Sequence, residues 1–229
     1  MTVNVYSMFE GRIKPFDILL PGNLDIVEIN DKRGISDLDK NGVLILWGGA
    51  DIHPSFYNRE TIYSVDKNRP VSFRDQIEAK HFAMAQEEGI PTIGICRGAQ
   101  FLCALNGGLL IQDVTGHNRG DHLVETAADG RFSVSSTHHQ MMYPWNVEHH
   151  LLAWSSKQLS EHYFGLDDSE LEAIPVDNQG GFIEPEIVWF PKTRSLAIQG
   201  HPEYKGIDHM FNRFVSSLVN QFIKPHLKS

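Results

Sequence analysis

The residues of this 229-residue chain best suited to covalent chemistry stand at Gly94-Ile95-Cys96-Arg97-Gly98. This G-x-C-x-G pattern follows the apolar run 92–95, which reads as a buried strand, and precedes a helical segment. A strand that turns sharply into a helix at such a residue pushes the reactive atom out above a parallel sheet. The glycines let the turn close, and the helix N-terminus behind the sulfur favours thiolate over thiol. A lone G-x-C-x-G is equally compatible with a buried cysteine at the end of a core strand, so partner groups decide.

A nucleophilic cysteine needs a base within hydrogen-bond reach, and the base needs an orienting group. Gln199-Gly200-His201-Pro202-Glu203 follows another apolar strand. Histidine and glutamate two apart at a strand end point to the same side. His201 is therefore the candidate to take the thiol proton, with Glu203 holding its second nitrogen. Most of the 12 histidines are expected at the surface or in satisfied positions; Gly200 and Pro202 single out His201 by placing it in a stiff turn. Gly48-Gly49, at the end of the apolar run 43–47, supplies a third piece. A glycine pair there lets backbone N–H groups face a ligand closely, and one of them with the N–H of Arg97 would form an oxyanion hole.

These groups need a scaffold of strands and helices. Strands are expected at 3–6, 25–29, 43–47 and 92–95, with Ser72-Phe73-Arg74-Asp75 resembling a capping box at the start of a helix. That helix carries Ile77, Phe82 and Ala85 inward and stops near Gly89, with Pro91 beyond. A second helix follows Cys96 as far as Asn106-Gly107-Gly108. Segments 122–126 and 131–135 read as a hairpin around Asp129-Gly130, and 151–154, 171–176, 187–190 and 195–198 as further short strands. A last helix is expected over 207–222, with Met210, Phe214, Leu218 and Phe222 on one face. The expected fold is α/β: a three-layer sandwich with a mostly parallel central sheet and a small β-rich insertion, forming a single domain over 1–229.

Composition narrows the function. Hydrophobic content of 41% and charged content of 21% suit a soluble globular chain. A formal charge of −9 with no basic face argues against a nucleic-acid partner. No apolar stretch approaches the roughly 20 residues of a membrane span. Only Cys96 and Cys103 occur, too close to suggest a structural disulfide, and residues 1–5 lack signal-peptide character. A cytoplasmic location is expected. His117 and His122 invite a metal site with His138 and His139, but no cysteine or carboxylate cluster completes a ligand set in the sequence, so no metal is expected.

The motifs together carry a resemblance. GGADIHPSFY from Gly48, RDQIEAKHFAMAQEEGIPTIGICRGAQFLCALNGGLLIQD from Arg74, STHHQMM from Ser136 and LAIQGHPEY from Leu196 occur in that order. In this combination the chain resembles the class I glutamine amidotransferases, most closely their γ-glutamyl hydrolase-like branch, peptidase C26. Arg97 after the cysteine, the Asp51-Ile52-His53-Pro54 run and the His138-His139-Gln140 cluster look like that branch. The resemblance covers most of 46–204 and implies a flavodoxin-like fold and a γ-glutamyl substrate. It implies Cys96 as nucleophile, His201 as base and acid, Glu203 as its orienter, and the N–H groups of Gly49 and Arg97 as oxyanion hole. It further implies Gln100, His139 and Gln140 as substrate-binding residues, and no cofactor. Arg74 and Asp75 match a family Arg-Asp pair, though a helix cap plus a surface charge explains them equally.

One region departs from the pattern. The family usually places a helix between the first two strands, whereas 10–24 is short and holds Gly11, Pro15, Pro21 and Gly22 with no helical periodicity. One sheet-covering helix is expected to be missing or replaced there. Three functions follow as alternatives: a free-standing hydrolase of γ-glutamyl amides, a glutaminase subunit delivering ammonia to a partner synthase, or a non-catalytic binding module. A homo-oligomer is compatible with each.

Overall fold

The computed structural model describes residues 2–8, 23–30, 41–60, 70–118, 120–128, 130–204 and 209–227. Its strands are β1 (Thr2–Ser7), β2 (Asn23–Glu28), β3 (Gly42–Leu46), β4 (Thr92–Ile95), β5 (Leu109–Ile111), β6 (Asp113–Val114), β7 (His122–Thr126), β8 (Arg131–Val134), β9 (Met141–Tyr143), β10 (His150–Ser155), β11 (Tyr163–Phe164), β12 (Pro185–Phe190) and β13 (Ser195–Ile198). The α-helices are α1 (Phe73–Glu88), α2 (Arg97–Leu105), α3 (Asp168–Ala173) and α4 (His209–Leu218).

A nine-stranded sheet runs in the order β2-β1-β3-β4-β13-β12-β10-β7-β8. The pairings from β2 to β13 are parallel and those from β13 to β8 antiparallel. Only β12 and β7 therefore point against the rest. β3, β4, β12 and β13 are buried at every residue, as strands covered on both faces require, whereas β7 and β8 at the edge alternate. Val5, Val43, Ile45, Ile95 and Ile198 pack with Phe211, Val215 and Leu218 of α4 on one face. Tyr6, Leu44, Leu46 and Ala197 pack with Phe82 and Ala85 of α1 and Ala99 and Leu102 of α2 on the other. This is the expected α/β sandwich.

The strands expected to form a β-rich insertion behave differently in detail. β7, β8, β10 and β12 extend the central sheet, and only the small ladders β5–β9 and β6–β11 lie outside it. Segment 171–176, expected as a strand, opens in α3 instead. Asp167 accepts from the Glu170 N–H, and the Glu170 carboxylate accepts from the Asp167 N–H, each at 2.9 Å. That reciprocal cap outweighs the alternation of Leu171 and Ala173. The inward face of α4 is Phe211, Val215 and Leu218; Met210 is 53% exposed, while Phe214 and Phe222 pack at the core margin. The segment expected to lack a helix, 10–24, lies outside the described residues up to 22, as do 205–208 before α4 and Asp129 of the hairpin turn.

Candidate active site

Cys96 sits between β4 and α2 with φ 52° and ψ −111°. A positive φ on a non-glycine residue is strained, at a cost of about 1–3 kcal/mol, and persists only where neighbours enforce it. Here the Cys96 N–H donates to the Ile198 carbonyl at 2.8 Å, and the Cys96 carbonyl accepts from Ala99 and Gln100, starting α2. A side chain on Gly98 would collide with the Leu46 carbonyl, and one on Gly94 with the Gly98 carbonyl. Both glycines thus let α2 press directly onto β3 and β4, which closes the turn.

Ile198 ends β13, and three residues later the chain reaches His201. The His201 N–H donates to Ser135 Oγ at 2.8 Å, and Ser135 Oγ donates back to the His201 carbonyl at 3.3 Å. His201 Nδ1 lies 2.8 Å from Glu203 Oε1, so the acceptor-only carboxylate fixes the proton on Nδ1 and turns the other nitrogen toward Cys96. The phenol ring of Tyr204 stacks on the imidazole, with centroids 4.2 Å apart and planes within 9°. Burial works to lower the His201 pKa, but hydrogen bonds and charge from Cys96 and Glu203 outweigh it and hold the group at about 9. Cys96 and His201 are 8% and 6% exposed. Cys103, two turns further along α2, is a contrast: burial pushes its thiol up to about 12. Both thiols are free.

The Gly-Gly loop closes the site from the β3 side. A side chain on Gly48 would stand 2.9 Å from His201 Cε1 and 3.5 Å from Cys96 Cβ, so only glycine fits beside the pair. Gly49 has φ +151°, and a side chain there would strike the Arg74 guanidinium. Arg74 donates to the carbonyls of Trp47 (2.6 Å) and Gly48 (3.1 Å), and its Nε is 2.9 Å from Glu78. Asp75 accepts from the His53 N–H at 3.2 Å. Asp75 and Glu78 also pair with the guanidinium of Arg97, which is 2% exposed. The Arg-Asp pair is thus no cap with a surface charge. Ser72 does cap α1 by accepting from the Asp75 N–H at 3.0 Å, but the Asp75 carboxylate serves Arg97 and the loop.

The remaining expected residues lie around this centre. Gln100 is 3% exposed and donates to the Gln140 carbonyl at 2.8 Å, tying α2 to the 135–140 segment. Gln140 is itself buried. His139 is half-exposed between Asp51 (3.1 Å) and Asp113 (3.3 Å), which together hold its pKa at about 9 against burial. Three contributors escaped the sequence reading: Ser135, Tyr204 and the Arg74 side chain as loop anchor. Of these only Arg74 left a signal, its place in the helix-opening motif. The sequence reading also missed that a carboxylate joins the histidines: Glu186 lies among His117, His122 and His138.

Fold and site together define a class. The chain belongs to the peptidase C26 family, whose model matches residues 18–203, and it has the class I glutamine amidotransferase fold. Glutamine amidotransferase-like protein YvdE of Lactococcus lactis is 36% identical over 98 residues, 43% of this chain and 38% of that relative. The carbamoyl phosphate synthase small chain of Buchnera aphidicola is 23% identical over 202 residues, 84% of this chain and 40% of that one. A solved glutamine amidotransferase from Thermotoga maritima matches with a TM-score of 0.53 at 15% identity, over 99% of this chain and 86% of that one. At that identity the likeness is one of fold. The chain spans 38% or less of the length of several curated relatives it matches. Among the described residues no helix is long and apolar enough to cross a membrane.

Proposed function

We propose that this chain is a cysteine hydrolase of γ-glutamyl amide bonds that works through a γ-glutamyl thioester. The observation that carries the reading is the strained Cys96 elbow facing a His201–Glu203 pair, on a chain of the peptidase C26 family. Cys96 Sγ attacks the side-chain amide carbon, and the carbonyl becomes an oxyanion facing the N–H groups of Gly49 and Arg97. The C–N bond breaks as His201 gives its Nε2 proton to the leaving amine. Water then attacks the thioester while His201 takes its proton; the C–S bond breaks, releasing glutamate and the Cys96 thiolate. Glu203 keeps Nδ1 protonated throughout. Gln100 and Gln140 shape the wall of the glutamyl pocket, and His139 stands at its rim. No cofactor is needed, and two free thiols suit a reducing, cytoplasmic setting.

A second reading has its own support. Similarity to a carbamoyl phosphate synthase small chain over 84% of this chain favours a glutaminase subunit that serves a synthase. One assay separates the two. The purified protein is given glutamine and a panel of γ-glutamyl amides with hydroxylamine present, which intercepts a thioester as the γ-glutamyl hydroxamate. Hydroxamate and free amine from the protein alone are the expected result. Turnover of glutamine confined to mixtures with a synthase would overturn the free-standing hydrolase.

A further inference from the structure

A buried group of histidines and glutamates stands beside the site and takes no part in the chemistry above. His117, His138 and Glu186 are each 4% exposed or less, and one ligand atom from each falls within 4.8 Å of the others. Glu186 Oε1 is 3.3 Å from His117 Nδ1, 2.9 Å from His122 Nε2 and 4.0 Å from His138 Nε2. The proton positions follow from the partners. His138 Nδ1 lies 2.8 Å from the Gln140 carbonyl, which can only accept, so the proton is on Nδ1 and Nε2 carries a lone pair. That lone pair has no hydrogen-bond partner, nor does Glu186 Oε2. The unpartnered His138 lone pair thus stands 4.0 Å from the Glu186 carboxylate in a buried setting, where a cation bound by both would offset the cost of burying them.

The outer groups fit the same purpose. His117 Nε2 is 3.0 Å from Glu184 Oε2, leaving Nδ1 on the Glu186 side, where it makes no hydrogen bond of good geometry despite the 3.3 Å approach. The Glu184 carboxylate accepts from the N–H groups of Leu159 and Ser160 (both 2.8 Å) and from the Tyr163 hydroxyl (2.7 Å). A ligand histidine whose far nitrogen donates to a carboxylate or carbonyl is the usual outer arrangement of a metal site. A surface cavity of about 340 Å³, lined by His122 with Gly116, Gly120, Asp121, Leu123 and Leu159, reaches the outer side of His122.

We propose that His117, His138 and Glu186 bind one divalent ion of the zinc type, with His122 holding the Glu186 carboxylate from outside. Nitrogen and carboxylate donors suit that class, and one donor atom from each residue already lies within 4.8 Å of the others. Three protein ligands and one water give the ion the usual four-coordinate shell. It braces the active site from behind. The Glu186 carbonyl accepts from Gln199 (2.8 Å), the His117 carbonyl accepts from the Ser136 hydroxyl and the His138 N–H, and Ser135 holds His201.

The test uses the whole chain without a polyhistidine tag, stripped by chelator and titrated with Zn²⁺ or Co²⁺. The stripped wild type is expected to bind about one equivalent per chain and to show the visible bands of four-coordinate Co²⁺. Saturation at about 100 times Kd should raise Tm by about 5–10 °C. Glu186→Gln and His138→Gln should lose the equivalent and the bands. If either variant fails to fold, the wild-type titration still decides. A wild type that takes up no ion and keeps its Tm would overturn the proposal, and so would full binding by both folded variants.

Discussion

At the scale of single residues, the account rests on how partners set the state of His201. Burial alone would leave this imidazole neutral, but Cys96 and Glu203 hold it charged up to a pH of about 9. Its folded pKa is above the unfolded value of 6.5, so the charge stabilises the fold fully below pH 6.5 and the contribution fades as pH rises through about 9. In the proposed mechanism the imidazolium protonates the leaving amine, so kcat/KM should fall as pH rises through the same range. Glu203→Gln removes one of the two groups that raise this pKa. Its pH–rate profile should show the basic limb moved toward the ordinary histidine range; a limb that stays in place would separate Glu203 from the chemistry. The pair itself was legible in the sequence, because two residues apart at a strand end fixes their common side. Ser135 was not, since it reaches His201 across 66 residues of chain.

At the scale of elements, the first turn of α1 works as a clasp on the Gly-Gly loop. In a trans peptide the carbonyl and the following N–H point opposite ways. With Arg74 holding the Gly48 carbonyl, the Gly49 N–H is turned away from α1. Glu78 then ties Arg74 to Arg97, so the loop and the elbow share one buried charge network. Arg74→Ala should free the 48–49 peptide and lower kcat by about 100-fold with KM little changed, the mark of an interaction made in the transition state. Equal kcat with a lower Tm would make Arg74 only structural. Most elements were readable from apolar runs and their stops: Gly89, at φ +75°, ends α1 as expected. The failures are instructive. α3 was lost because Leu171, Ala173 and Ile174 drew attention from the Asp167–Glu170 cap that decides the segment. The face of α4 was read only in part: Leu218 lies on it and Phe214 and Phe222 pack at its margin, but periodicity leaves phase open, and Phe211 and Val215, not Met210, form its centre.

At the scale of the whole molecule, the site is assembled from four stretches that the sheet order brings together. β3 delivers the Gly-Gly loop, β4 the cysteine, β13 the histidine and glutamate, and the 135–140 segment the wall. β3, β4 and β13 are neighbours in the sheet although their sequence positions span 42–198. A family pattern made that adjacency legible; no local reading of residues could. The glutamates beside His117 stayed hidden for the same reason, 67 residues away in the case of Glu184. An assembled site can be tested without knowing the leaving amine or any partner. The most direct measurement is intact-protein mass spectrometry after incubation with a diazo-ketone analogue of glutamine, comparing wild type with Cys96→Ala. A single adduct on the wild type and none on the variant is the expected result. An unmodified wild type whose Cys96 still reacts with a small general thiol reagent would contradict it.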